Sequence, residues 1–443
     1  MARAIVAIVG RPNVGKSTLF NRMIGWRKAI VDERAGLTRD RLYGVAEWRG
    51  HEFTVVDTAG LEPGGEDDGS RAAMEAQTRA AIAEAQLIIL LLDVRKGLVP
   101  VDRDIAHLLR RSGRPTLVAA NKADNPGQEH FRHEILELGF PDPVMVSAQH
   151  GIGVDDLMDR MIEALPESLP GAEPAEEETA RLAIMGRPNV GKSSLLNAQL
   201  GDERALVSEM PGTTRDPVDT VLSFDGLPVV LVDTAGIRRR AAARDRLEHF
   251  SLLRGIRAME RADAVILVMD ASTGILVQDQ HVAGYALDAG KGLVLAINKI
   301  DLVEPALRTK RSWQAQVASH FKFVPHAPLV MLSAKTGAGV TKLLPTALEV
   351  VGQRRVRMPT NELNRLLREA FAERPPPSYK GKRLVLRYAT QASSETPTVV
   401  LFVNDTGLLH FSYRRYLENR IRDRFGLAGN PLRIVLRARE DRG

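Results

Sequence analysis

The stretch that decides the fold is IVAIVGRPNVGKST at residues 5–18. Its first five residues are apolar and read as a buried strand, and Lys16-Ser17-Thr18 opens a helical pattern. The spacing G-x-x-x-x-G-K-[ST] between a strand and a helix is that of a phosphate-binding loop. Gly10 and Gly15 permit a tight backbone path, and the loop Arg11-Pro12-Asn13-Val14 between them turns backbone N–H groups toward a β-phosphate. The helix that follows adds its positive end.

The motif recurs as LAIMGRPNVGKSS at 182–194, an offset of 176. L-T-R-D at 37–40 meets T-T-R-D at 213–216, and V-D-T-A-G at 56–60 meets V-D-T-A-G at 232–236, at the same offset. N-K-A-D at 121–124 meets N-K-I-D at 298–301 one residue late, and S-A-Q at 147–149 meets S-A-K at 333–335 ten residues late. Two copies of a unit of ~165 residues thus fill residues 1–350, as tandem domains rather than a solenoid of ~20–50-residue repeats.

In the first copy, strands are predicted at 5–9, 54–56, 87–92, 117–120 and 144–146. Their counterparts are 182–185, 229–232, 264–269, 293–297 and 329–332. Alternation of these strands with helical patterns predicts an α/β fold: a mostly parallel sheet with helices on both faces, twice. PESLPGAEPAEEETA at 166–180, with five glutamates and no basic residue, reads as an acidic linker. The expected division is a first domain at 1–165, a second at 181–350 and a basic module at 351–443.

The chemistry follows from the repeated motifs. Lys16 is expected to neutralise β- and γ-phosphate oxygens, and Ser17 to ligate Mg²⁺. Gly186, Arg187, Pro188, Asn189, Val190, Gly191, Lys192 and Ser193 repeat the arrangement. Asp57-Thr58-Ala59-Gly60 ends a strand, suited to a carboxylate holding the metal through water and a glycine amide on the γ-phosphate. Thr38 lies in a polar loop, placed to complete the Mg²⁺ shell and to swing away when the γ-phosphate leaves. Thr214 and Asp233-Thr234-Ala235-Gly236 match them in the second copy. Lys16, Thr38, Gly60, Lys192, Thr214 and Gly236 are therefore the expected catalytic set, with Ser17, Thr38, Asp57, Ser193, Thr214 and Asp233 as the Mg²⁺ set.

The base is chosen by the later motifs. In Asn121-Lys122-x-Asp124 the aspartate can accept from both N1–H and N2–H₂ of guanine, a pattern adenine lacks. Ser147-Ala148 is expected to supply backbone contacts to the guanine oxygen. Asn298, Lys299, Asp301, Ser333 and Ala334 repeat the set. Both halves are expected to bind GTP.

These motifs resemble those of the translation-factor-related GTPases. The tandem arrangement with a small basic C-terminal module resembles the bacterial Der (EngA) family, and the resemblance covers nearly the whole chain. It implies a role in maturing the large ribosomal subunit, with rRNA as a partner, and a KH-like fold for the C-terminal module. Where Ras-type enzymes place a water-orienting glutamine after D-T-A-G, this chain has Leu61 and Ile237, so unaided hydrolysis is expected to be slow. Asn13 and Asn189 occupy the position that relatives use to help hold a potassium ion, so K⁺ is expected to stand in for an arginine finger. The competing expectation is an RNA- or ribosome-binding module in which one G domain holds nucleotide structurally and only the other hydrolyses it.

Charge separates along the chain. Residues 61–71 are acidic, whereas 237–246 carry five arginines against one aspartate. Residues 351–443 contain 19 basic and 9 acidic residues, net +10, whereas the whole 443-residue chain is only +6. Seventeen of those 19 are arginine, suited to phosphate contacts. The order α-β-β-α-β is predicted there, with helical stripes at 363–371 and 413–421 and strands at 383–389, 398–403 and 432–436. Gly426-Leu-Ala-Gly429 spells GxxG after a helix and before a strand, so it reads as a C-cap turn rather than a KH nucleotide clamp. Tyr413 and Tyr416 fall at core spacing.

With no cysteine, the chain has no disulfide framework, thiolate metal site or cysteine nucleophile. No apolar run approaches the ~18–20 residues that cross a bilayer. MARAIVAIVG is not read as an export signal, because RLAIMG at 181–186 repeats its pattern inside the chain. A cytoplasmic monomer without membrane contact is expected.

Overall fold

The computed structural model describes residues 3–28, 43–58, 71–124, 130–165, 179–201, 205–207, 219–233, 248–378, 382–392 and 396–438. The chain forms two compact units: Met1–Ala175 with Ala235–Arg261, and Glu176–Thr234 with Ala262–Gly443.

The first unit is built on β1 (Ala4–Val9), β2 (Tyr43–Trp48), β3 (His51–Asp57), β4 (Leu87–Asp93), β5 (Thr116–Asn121) and β6 (Val144–Met145), in the order β2-β3-β1-β4-β5-β6. Its helices are α1 (Lys16–Lys28), α2 (Arg71–Glu84), α3 (Pro100–Ser112), α4 (His130–Leu136) and α5 (Val154–Ala164), joined from further along the chain by α7 (Glu248–Arg261). Every residue of β4 is buried, as a strand covered by helices on both faces requires. One core cluster joins Val6, Ile8, Ile89 and Leu91, alternate residues of neighbouring strands, to Leu19, Phe20 and Met23 of α1 and Leu157, Met158 and Met161 of α5. All pairings are parallel except β2–β3, a hairpin turned at Arg49 (φ 46°) and Gly50 (φ 85°).

The second unit repeats this plan. Its strands are β7 (Ala180–Met185), β8 (Ala205–Val207), β9 (Thr220–Phe224), β10 (Leu227–Val232), β11 (Ala264–Asp270), β12 (Gly292–Asn298) and β13 (Leu329–Met331). They run in the order β13-β12-β11-β7-β10-β9-β8, with β8, β9 and β10 antiparallel. Its helices are α6 (Lys192–Leu200), α8 (Val277–Asp288), α9 (Lys310–His320) and α10 (Leu343–Arg354). The expected strands are all present, and the antiparallel strands β2, β8 and β9 are additions to the expected set. Because β7 begins at Ala180, the last residue of the stretch read as linker is already strand.

The C-terminal module follows as α11 (Thr360–Glu373), β14 (Leu386–Gln391), β15 (Thr398–Val403), α12 (Phe411–Phe425) and β16 (Arg433–Ala438). This is the expected α-β-β-α-β order, although β14 starts three residues later than expected. β15 pairs antiparallel with β14 and parallel with β16. Tyr413 is core, 3% exposed, with its hydroxyl donating to the Arg374 carbonyl at 2.7 Å and its ring edge-on to Phe371.

Gly426 caps α12, its N–H donating to the Arg422 carbonyl at 2.8 Å. The end of that turn docks within the unit: Gly429 N–H donates to the His326 carbonyl at 3.0 Å, and Leu293 N–H to the Gly429 carbonyl at 2.8 Å. A Cβ on Gly429 would lie 2.6 Å from the Leu293 oxygen, so only glycine allows this approach. Asn430 Nδ2 donates to Val350 O at 2.8 Å, and the buried Arg354 donates to Gly290 O at 2.5 Å. The GxxG sequence is thus a helix cap and a docking turn.

Candidate nucleotide sites

Parallel strands place their C-terminal ends along one sheet edge, and the sequence motifs sit there. Ile8 is the register partner of Asp57, so the loop after β1 and the acid ending β3 emerge side by side. Gly15 (φ 101°) and Gly191 (φ 95°) are left-handed. A Cβ on either would lie within 2.4 Å of Asn121 Nδ2 or Asn298 Nδ2, respectively. Glycine is therefore demanded both by the turn and by the asparagine pressed against it.

That asparagine ties three loops together. Asn121 Nδ2 donates to Val14 O at 2.7 Å, and its Oδ1 accepts from Ala148 N–H at 2.9 Å. Asn298 does the same with Val190 O at 2.8 Å and Ala334 N–H at 3.0 Å. Lys122 and Lys299, both at positive φ, donate to the carbonyls of Asn13 at 2.8 Å and Asn189 at 2.7 Å. Asn13 and Asn189 are themselves left-handed and exposed. Lys16 Nζ lies over its loop, donating to Gly10 O at 2.7 Å and Arg11 O at 2.9 Å. Lys192 Nζ bonds Gly186 O at 2.7 Å and Arg187 O at 2.6 Å.

Asp124 accepts from Ser147 Oγ at 2.6 Å and is paired with Arg95. The Ser147 hydroxyl, followed by Arg95, holds its carboxyl below the usual range, so it remains an acceptor. Asp301 is held down in the same way by the Ser333 hydroxyl. Arg95 has no counterpart in the second copy, where Ser272 stands at the equivalent place after the strand.

Ser17 and Ser193 lie in the first turns of α1 and α6, Asp57 ends β3, and Thr58 Oγ1 donates to Ile8 O at 2.7 Å. Hydroxyl and carboxylate oxygens are donors suited to Mg²⁺. Among the described residues there is no cluster of three His, Cys, Asp or Glu that could hold a metal ion. Pro12 and Pro188 lie within the two phosphate loops. Thr38, Ala59, Gly60, Thr214, Thr234, Ala235 and Gly236 lie outside the described residues, as do Leu61, Ile237 and the charged stretches beginning there.

Two pairs of acids escape the motif reading. Asp93 and Asp270 end β4 and β11 and accept from Lys122 Nζ at 2.7 Å and Lys299 Nζ at 2.6 Å. Burial pushes Asp270 up, but Lys299 and Ser272 outweigh it and leave the carboxyl below its usual value. Asp102 and Asp279, each 0% exposed, cap α3 and α8 by accepting from Val99 N–H at 3.2 Å and Leu276 N–H at 3.0 Å. They also face the phosphate-loop arginines: Arg187 Nε donates to Asp279 at 3.0 Å, and Arg11 Nε lies 3.3 Å from Asp102. Burial raises both carboxyls against the backbone and arginine contacts. The signal for these acids was present, since both pairs recur at one offset of 177.

Comparison with known proteins agrees with this geometry. A family model described as 50S ribosome-binding GTPase matches residues 5–122 and 181–299. One described as the KH-domain-like C-terminal region of EngA bacterial GTPase enzymes matches 357–437. GTPase Der of Chloroflexus aggregans is 48% identical over 446 residues, covering 99% of each chain. GTPase Der of Desulforudis audaxviator is 47% identical over the whole of both chains, and that of Halalkalibacterium halodurans 44%. Matched end to end by these relatives and in both halves by a GTPase model, the chain belongs to the GTPase Der family and is a GTPase with two G domains and a C-terminal KH-like domain.

Proposed function

We propose that this GTPase is a switch in assembly of the large ribosomal subunit, acting as a cytoplasmic monomer whose domain arrangement follows its nucleotide state. The division is 1–165 and 181–350 for the G domains, with an acidic linker at 166–180 and the KH-like domain at 351–443. The observation that carries the reading is the duplicated brace: in each copy an Asn and a Lys of N-K-x-D clamp the phosphate loop through the same carbonyls. A site that no longer held nucleotide would be free to lose that brace, so the duplication supports nucleotide binding at both sites.

In each site the phosphate loop holds the β- and γ-phosphates, with Lys16 or Lys192 neutralising their oxygens. Asp124 or Asp301 accepts from guanine N1–H and N2–H₂, and Ala148 or Ala334 faces the guanine oxygen. Ser17, Thr38 and Asp57, or Ser193, Thr214 and Asp233, would hold Mg²⁺, which would supply positive charge against the phosphate oxygens. Water attacks the γ-phosphorus as its bond to the bridging oxygen breaks, giving GDP and phosphate. Gly60 or Gly236 presents its amide to the γ-phosphate, and Asn13 or Asn189 helps hold K⁺.

The arginine-rich module suits rRNA phosphates, and the match of residues 5–122 and 181–299 to a model described as 50S ribosome-binding GTPase supports the large subunit as partner. Cosedimentation with large subunits in GDP or a non-hydrolysable GTP analogue, at two salt concentrations, tests this. Binding should depend on the nucleotide and weaken with salt; nucleotide-independent binding contradicts the switch.

A further inference from the structure

Laid over one another strand for strand, the two copies differ at three positions that converge in the first compact unit. Ala83, exposed near the end of α2, corresponds to Glu260 of α7. Thr54 on β3 corresponds to Val230 on β10, and Arg3 before β1 to Thr179 before β7. The three residues that replace an exposed alanine, a valine and a threonine are a carboxylate, a hydroxyl and a guanidinium, and they meet.

Glu260 has a side chain only 2% exposed. Thr54 Oγ1, fully buried within its strand, donates to Glu260 Oε1 at 2.6 Å. Arg3 Nη1 pairs with Glu260 Oε2 at 3.4 Å, and Arg3 Nη2 with Glu52 Oε2 at 2.5 Å. Less than one turn away, α7 packs along α2, with Arg257 Nη1 reaching Glu84 Oε2 at 3.4 Å. A strand hydroxyl buried without an acceptor and a carboxylate buried without a cation are both costly. The group therefore specifies one docking position for α7 rather than merely adding adhesion.

In sequence, α7 follows the second D-T-A-G motif, the part of a GTPase that answers to the γ-phosphate. We propose that α7 reports the state of the second nucleotide site to the first GTPase unit, with Glu260, Thr54 and Arg3 as its latch. This rests on the reading that nucleotide state controls domain arrangement, and it names the contact through which the two sites are coupled. Linkage makes the coupling reciprocal: each site alters the other's affinity by one factor.

The test uses the full chain carrying Asp301→Asn. An amide presents a donor where the carboxylate presented only acceptors, so the second site prefers xanthosine nucleotides, whose C2 bears an oxygen. The second site is loaded with xanthosine diphosphate or a non-hydrolysable xanthosine triphosphate, and the first is titrated with fluorescent GDP. The first-site affinity should differ about five-fold or more between the two loads. Glu260→Ala and Thr54→Val, which restore the residues of the other copy, should each bring that ratio to one. Glu260→Gln, whose oxygen still accepts from Thr54, should keep part of it and guards against a folding defect. An unchanged ratio in Glu260→Ala and Thr54→Val overturns the latch while leaving nucleotide-controlled arrangement intact. A ratio of one in the Asp301→Asn parent overturns the coupling itself, independently of the cosedimentation result.

Discussion

Replacing Asp270 with asparagine should weaken nucleotide binding at the second site alone. The carboxylate accepts from Lys299 Nζ at 2.6 Å, Ser272 Oγ at 2.6 Å and Ser272 N–H at 2.9 Å. Asparagine keeps the size and one oxygen for Ser272, but its amide nitrogen cannot accept from an ammonium. The loss is one charge-assisted hydrogen bond, a class that contributes about 1.5–3 kcal/mol. Lys299 is 30% exposed and retains the Asn189 carbonyl at 2.7 Å, which places the effect at the low end. About 1.5 kcal/mol corresponds to a roughly ten-fold rise in Kd. Calorimetric titration with GDP, resolving two classes of site, measures it. One class should weaken roughly ten-fold and the other stay put, and Asp93→Asn should exchange the two. Unchanged affinity in a folded variant, or equal weakening of both classes, would refute the idea that these acids position the guanine-motif lysines.

Gly191→Ala combines left-handed strain of about 1–2 kcal/mol with displacement of Asn298. It should reduce the calorimetric stoichiometry from two nucleotides to one, and a retained second site would contradict the brace. At matched ionic strength, turnover in KCl should exceed that in NaCl if Asn13 and Asn189 hold potassium; equal rates remove that role. Burial raises the Asp102 carboxyl from its usual 3.8, so its stabilising contribution is complete below that value and is lost as pH rises through the raised one. The melting temperature of the chain relative to Asp102→Asn should therefore climb as pH falls from 7 toward 4, and a relative fall would reverse the sign of the argument.

Much of the site was legible because the repeat doubled every motif, and because strand ends, where these motifs sit, are marked by apolar runs stopping at polar residues. Val9 to Gly10 and Ile297 to Asn298 are such stops. The edge hairpins were harder. Tyr43, Val45 and Ala46 of β2 are buried only once the strand is paired to β3 and packed under α1, and Arg49-Gly50 is an unremarkable turn sequence. Asp225-Gly226 is a strong hairpin dipeptide whose residues take φ of 48° and 80°, and it turns β9 into β10, a signal the reading of the motifs passed over. The placement of α7 was not legible at all. Glu260 lies 206 residues from Thr54, and nothing local in either stretch announces a buried hydroxyl–carboxylate pair. Asp93 and Asp270 were passed over although they recur at one offset, since an acid ending a strand looks like a solvated turn until the lysine opposite is placed.

The central proposal is that both G domains of the chain, braced alike by Asn121 and Lys122 and by Asn298 and Lys299, hydrolyse GTP. A single-turnover phosphate-release measurement on the full chain, preloaded with GTP at both sites and freed of unbound nucleotide, in Mg²⁺ and KCl, tests that most directly. Two phosphates released per chain is the predicted result, and one per chain at full nucleotide occupancy would contradict it.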